Sequence, residues 1–406
     1  MRFFLATLFA VFYCFSAFSQ VLTKEDSLTA GLIRSNNTTV ISGYGQLKSQ
    51  YDFRLKTANT ELTRNVLFVG HRFKNNIYFF SEMELENAKV VGGTPSGEIS
   101  MEQLFLKFNI NRSMYLQAGL FIPRIGIINE NHLPTTYNGN DRPFVETFII
   151  PATWREIGVG LYGNINTVPG LNYSVAVMSG LNSANFTNDT GIVNGRTEGA
   201  SSASSSIALT NAWLLYAGDW RIQASWYYGG SAGPKRQADS LHLQSGPFGL
   251  PVALAEANAQ YHGRNGFSLR ALVTGVSIQD AGKINFAYGK NTPQNMYGAY
   301  LELGYNFYKL INPESTKNLT LFYRQEAMDL GLMRAQNYGE DNDVNRRFYS
   351  IAGITFQPTG GVIVKVDYVI RNTGDRNPAL LATQFPRALP YYSSNGFFNV
   401  GIGYSF

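Results

Sequence analysis

The closing stretch of the chain sets a large apolar side chain at every second position and ends on an aromatic. Phe398, Val400, Ile402, Tyr404 and Phe406 alternate with Asn399, Gly401, Gly403 and Ser405. A pleated strand sends successive side chains to opposite faces, so one face of this segment suits hydrocarbon and the other suits water. A helical period cannot produce that split. The pattern therefore restricts the chain to folds that leave one face of a sheet in an apolar medium.

The other end points to the same compartment. Arg2 precedes an uncharged, mainly apolar stretch from Phe3 to Phe18, and Ala17-Phe18-Ser19 supplies small residues before Gln20. This has the form of a cleaved signal peptide over 1–19. Tyr13 stands where a lipoprotein signal needs a small residue ahead of Cys14, and the run is short for a bilayer anchor. The single cysteine is expected to leave with the leader, so the mature chain has no disulfide framework and no thiolate chemistry. The net charge of +5 falls by one on losing Arg2 and calls for no nucleic-acid partner.

Beyond the leader no apolar run approaches the ~20 residues of a spanning helix, although 44% of residues are hydrophobic and 40 are glycine. Alternating segments of the length an inclined spanning strand requires recur instead. Sixteen are expected, at 40–53, 61–73, 76–87, 97–110, 112–122, 154–165, 170–181, 206–217, 219–230, 252–263, 265–278, 294–309, 316–328, 344–357, 361–371 and 395–406. Residues 20–39 are expected to form a polar periplasmic lead-in, and 40–406 the barrel. The connections alternate between short ones, such as Lys74-Asn75 and Pro358-Thr359-Gly360, and long ones, such as 88–96, 123–153, 182–205, 231–251 and 372–394. Tight turns at one rim and long loops at the other are expected of an all-β transmembrane antiparallel barrel of the outer membrane. A soluble sandwich has no reason to keep that order.

Several strands assign their faces clearly. Trp220, Ile222, Ala224 and Trp226 oppose Arg221, Gln223 and Ser225, while Val362, Val364, Val366 and Tyr368 oppose Ile363, Lys365 and Asp367. Segments 61–73, 206–217 and 344–357 alternate poorly, and a slip of one residue inverts a face. The expected inward charges are Lys48, Arg221, Arg270, Arg324, Lys365 and Arg371 against Asp52, Glu82, Glu84, Glu86, Glu256, Glu302, Glu326 and Asp367. Mixed rows of opposite sign create a transverse field rather than the single-sign ring that selects one ion type.

A strand that closes on Tyr404 and Phe406 resembles the last strand of bacterial outer-membrane barrels, whose terminal aromatic is read by the family's barrel-assembly machinery. A narrower resemblance runs from 121 to 160. It includes Phe121-Ile-Pro123-Arg124-Ile-Gly126, Glu130-Asn-His132-Leu-Pro134, Asp141-Arg142-Pro143, Glu146-Thr-Phe-Ile-Ile-Pro151 and Trp154-Arg155-Glu156-Ile-Gly158. This looks like the phosphate-selective porin O and P family, particularly its Bacteroidetes members. The resemblance implies a homotrimeric sixteen-stranded porin without a cofactor, set among outer-membrane lipid and lipopolysaccharide and passing small hydrophilic solutes. In some members a basic ladder prefers anions. Its constriction loop would be 123–153, with Arg124, Glu130, His132, Asp141, Arg142 and Glu146. The alternatives are a plain surface loop, and a plugged structural or adhesive barrel.

Smaller motifs carry less. Gly229-Gly-Ser231-Ala-Gly233 matches a nucleophile elbow, but Pro234 and a polar loop are expected where the elbow needs a helix. His71, His132, His242 and His262 show no metal-ligand spacing. Glu340-Asp341-Asn342-Asp343 could bind calcium or sit as a solvated loop. Arg155, sharing parity with Ile157 and Val159, is expected to point outward near the upper rim.

Overall fold

The computed structural model describes residues 38–74, 76–90, 97–200, 202, 204–333, 343–375 and 392–406. The expected leader, most of the lead-in and Glu340 to Asn342 lie outside the described residues.

Sixteen strands form: β1 (Thr39–Asp52), β2 (Thr57–Arg72), β3 (Ile77–Glu86), β4 (Glu98–Asn111), β5 (Met114–Phe121), β6 (Glu156–Asn164), β7 (Leu171–Ser179), β8 (Ile207–Ala217), β9 (Trp220–Gly229), β10 (Val252–His262), β11 (Phe267–Ile278), β12 (Asn295–Asn306), β13 (Asn318–Met333), β14 (Arg346–Thr359), β15 (Val362–Thr373) and β16 (Ser394–Ser405). Each pairs antiparallel with its sequence neighbours, and β1 pairs with β16 from Tyr44 opposite Ser405 to Asp52 opposite Phe397. The sheet is closed. Among the described residues no strand keeps a free edge, which is the condition for backbone to survive in hydrocarbon.

The alternation carries the exterior. Trp220, Ile222 and Trp226 of β9 are 40%, 44% and 43% exposed, while Gln223 and Ser225 between them are buried. Ile402 of the closing strand and Phe406 just after it likewise face out. At the short-turn rim aromatic pairs line up: Trp220 with Tyr261 at 5.0 Å, Tyr305 with Phe307 at 5.3 Å, and Tyr404 with Phe406 at 6.5 Å. Such girdles sit at the headgroup level of a bilayer.

The connections depart from the expected alternation at two places. The turn between β1 and β2, on the long-loop rim, spans only 53–56, and the connection at 307–317, on the short-turn rim, carries a helical turn at Tyr308–Ile311. The poorly alternating segments have identifiable causes. In β2 the register shifts opposite Gln46 and Leu47, so Thr63 and Arg64 fall on one side of a bulge. In β8 and β14 the inward residues include Ala208, Ala212, Leu214, Tyr349 and Ile351, which are apolar and buried.

Those apolar inward residues belong to a core inside the barrel. Ile125, Ile127, Val145, Ile149, Ile150 and Trp154, from the segment joining β5 to β6, are packed in one cluster with Tyr227, Leu254, Leu272, Met296, Phe322 and Tyr349 of β9 to β14. A second, smaller cluster sets Leu133 against Tyr44, Val66, Phe68 and Phe80 on β1 to β3. The β9 to β14 side of the lumen is thus filled with side chains, and the β1 to β3 side is met at Leu133.

Candidate pore and its inner segment

Residues 122–155 leave β5 at Phe121, cross the lumen and return to β6 at Glu156. The segment is a folded unit. Asn129 donates from Nδ2 to the carbonyls of Ile125 and Pro151 at 3.0 and 2.9 Å, and its Oδ1 accepts from Trp154 N at 3.0 Å, tying both ends together. Glu146 lies in a helical turn at Val145–Phe148, where one carboxylate oxygen accepts from Ile127 N and Ile128 N at 2.6 and 2.8 Å and the other from Tyr300 Oη at 2.6 Å. Burial pushes its carboxyl up to about 7, against the lowering pull of these donors. Gly126 has φ +79°, and a Cβ there would stand 2.5 Å from Glu146 Oε2. Glycine is required at that turn.

The far side of the segment is docked on wall residues. Asn140 donates from its backbone N–H and from Nδ2 to Asp367 at 2.7 and 2.6 Å. Lys48 pairs with Asp141 at 2.5 Å. Arg324 lies between Glu302 at 3.0 Å and Glu326 at 2.8 Å and donates to the carbonyls of Asn138 and Asp141. Glu326 accepts from Val145 N, Arg270 donates to Thr136 O, and the Lys365 ammonium stands 3.7 Å from the Tyr137 ring centre. Nearer β9, Arg221 and Arg124 both meet Glu130. The wall yields space for this approach at Gly401, where a Cβ would come within 2.0 Å of Asn140 Oδ1.

The expected pore-lining residues therefore divide in two. All face inward, but Glu82, Glu84, Glu302, Arg324, Lys365 and Asp367 are no more than 3% exposed, most of them covered by the inner segment. Lys48, Arg221 and Arg270 keep part of their surface open, and Asp52 accepts from the N–H groups of Arg54 and Leu55 in the rim turn. Of the expected loop residues, Arg124, Glu130, His132, Asp141, Arg142 and Glu146 all lie within the lumen, and Arg142 donates to His132 O at 3.3 Å.

Open space remains on the β1 to β4 side. A cavity of ≈ 360 Å³ lies between this wall and the inner segment. Its basic lining, Lys48, Arg64, Arg142, Arg155 and Arg196, is matched in number by Glu61, Glu86, Glu98, Asp141 and Glu198. A smaller cavity of ≈ 120 Å³, lined by Lys107, Gln117, Arg124, Glu130 and His132, lies toward the short turns. Register places the first at Glu86 and Glu98 and the second at Gln103 and Lys107, with Glu82, Glu84 and Glu102 at the height between them.

Arg155 does not point outward: it precedes β6, so strand parity does not govern it, and it pairs with Glu198 at 3.2 Å beside the larger cavity. Arg196, in the 180–206 connection, meets Glu198 at 3.2 Å, and burial lowers its guanidinium from the usual value. A helix, Lys235–Ser240, does follow Pro234, yet Ser231 is fully buried and donates to Leu250 O at 2.7 Å, so no nucleophile is presented. Asp343 pairs with Arg346 at 3.4 Å, outside any described carboxylate cluster. Missing from the sequence reading were Tyr44, Arg64, Glu102, Tyr137 and Asn140. The second bulge hid Glu102: the register shifts between Glu82 and Met83, which turns both Glu102 and Gln103 inward. Two successive inward residues break a period of two, and that interruption was the available signal.

A scan against protein-family models finds no match. An uncharacterized protein of Aquifex aeolicus (strain VF5) is 27% identical over 350 residues, covering 83% of this chain and 76% of the relative. Among solved structures, the outer membrane channel DcaP of Acinetobacter baumannii aligns with TM-score 0.54 and 14% identity over 91% of this chain and 97% of that one. The anion-selective porin of Comamonas acidovorans gives 0.53 and 11% over 91% and 99%, and the trimer form of OmpT of Vibrio cholerae 0.50 and 12% over 91% and 100%. These likenesses establish the fold as that of outer-membrane porin barrels, and the chain is an outer-membrane protein of that architecture.

Proposed function

We propose that this barrel is a passive diffusion channel for small hydrophilic solutes, with its water path confined between the inner segment and the β1 to β4 wall. The observation that carries the reading is the larger cavity, a polar space bounded by five bases and five acids. Equal numbers of facing charges of opposite sign favour hydrated or dipolar solutes and give weak ion selectivity. For that reason a general pore is preferred to the anion or phosphate preference of the porin O and P family, although the 121–160 resemblance and the anion-selective neighbour leave that as the finer alternative. Residues 123–153 act as the constriction loop. A homotrimer, as in the OmpT structure, an assembly signal at Tyr404 and Phe406, and export by a leader over 1–19 complete the proposal.

The apolar packing of the inner segment against β9 to β14 favours a second reading, a barrel plugged and silent. Recording the purified protein in a planar bilayer separates the two. Discrete conductance steps with a reversal potential near zero in a tenfold salt gradient are the expected result. A silent bilayer supports the plugged barrel, and a large anion potential overturns the mixed-charge argument.

A further inference from the structure

We propose that Glu82, Glu102 and His132 form a site for one divalent transition-metal ion of the zinc class, which pins the inner segment to the barrel wall between the two cavities. Each offers a ligand atom within 4.8 Å of the others, and all three side chains are buried. His132 Nε2 stands 3.5 Å from Glu82 Oε1 and 3.8 Å from Glu102 Oε2. Those separations are long for hydrogen bonds. They are close to the roughly 3.3–3.4 Å edge of a tetrahedron whose ligands lie ~2.0–2.1 Å from a central ion.

An independent observation points to a ligand. Glu82 Oε1, the oxygen aimed at the imidazole, is buried and accepts no hydrogen bond among the described residues. The other oxygen of that carboxyl is already fixed by Gln103 Nε2, which donates to Glu82 Oε2 at 2.6 Å, while Glu102 Oε2, the oxygen on the imidazole side, is held by Tyr44 Oη at 2.7 Å. Such outer donors orient carboxylate ligands in metal centres. The bulge in β4 is what turns Glu102 toward the site beside Gln103.

Charge favours a cation. Glu82, Glu84 and Glu102 face Arg64, which meets Glu84 at 3.4 Å, and Arg142, which donates to His132 O. Carboxyl groups thus outnumber guanidinium groups around the imidazole. One imidazole nitrogen with two carboxylate oxygens suits zinc, cobalt or nickel better than magnesium or calcium. His132 lines the smaller cavity, which provides the entry path, and a fourth position is left for water.

The test uses untagged protein folded in detergent, stripped with chelator and titrated with Zn²⁺ alone and with Co²⁺. The expected result is one ion per chain, with visible absorption bands of a low-symmetry four-coordinate cobalt complex that zinc displaces. His132→Gln and Glu82→Gln should each weaken binding by at least about tenfold. Should either variant fail to fold, cobalt-induced paramagnetic shifts of the His132 ring in the unaltered protein replace it. No binding, binding that both variants leave unchanged, or a site that only takes up a proton on His132 overturns the proposal. Because binding is read without any current, its failure is distinguishable from failure of the channel reading.

Discussion

Glu146 is the carboxyl around which the inner segment closes, and its environment makes a pH dependence. Its folded carboxyl keeps a proton up to about 7, whereas the ordinary value is 4.5. The folded state thus binds more protons than the unfolded state between those values. The resulting stabilisation is fully present below 4.5 and is lost as pH rises through 7, a change on the order of 3 kcal/mol. Glu146→Gln, which keeps an acceptor for Ile127 N and Ile128 N without the charge, should flatten that part of the profile. Thermal midpoints of both proteins between pH 5 and 8 check this; parallel profiles contradict it. At this scale little was legible in advance. Glu146 was singled out as a polar loop residue, but its partner Tyr300 lies on β12, and no spacing announces a contact across so much intervening chain.

At the scale of elements, the sixteen strands were legible because lipid imposes a period of two on every outward face, as Trp220 to Trp226 and Phe398 to Phe406 display. Where the rule failed, the inner face was responsible. A lumen filled by its own chain needs apolar inward residues, as at Ala208, Leu214 and Ile351, and a wall that receives a segment needs bulges, as at Thr63 and Glu102. Arg155 was misplaced because parity was carried one residue past the strand. The Arg324 contacts give this scale its prediction. Removing the guanidinium leaves Glu302 and Glu326 buried without it, so Arg324→Met should cost about 3–5 kcal/mol. Adding Glu302→Gln and Glu326→Gln should recover much of that loss. Urea midpoints measure both; a single variant as stable as the parent contradicts the docking of the segment through this group.

The whole molecule combines a membrane-spanning cylinder with an interior that is asymmetric about its axis. From β9 to β14 the segment packs as a core, whereas toward β1 to β4 it touches the wall at Leu133 and Asp141 and leaves a polar cavity beside Glu86 and Glu98. Closure and exterior follow from alternation that any outer-membrane barrel must obey. The asymmetry follows from contacts between residues tens to hundreds of positions apart, which is why the sequence pointed to a wide wet lumen and the structure has a narrow one. The most direct measurement is cysteine accessibility during single-channel recording, with a charged thiol reagent applied to Thr63→Cys beside the larger cavity and to Leu272→Cys in the apolar cluster. The current is expected to fall on modification at 63 and to stay unchanged at 272. Modification at 272 with none at 63 would place the water path on the wrong side of the barrel and contradict this expectation.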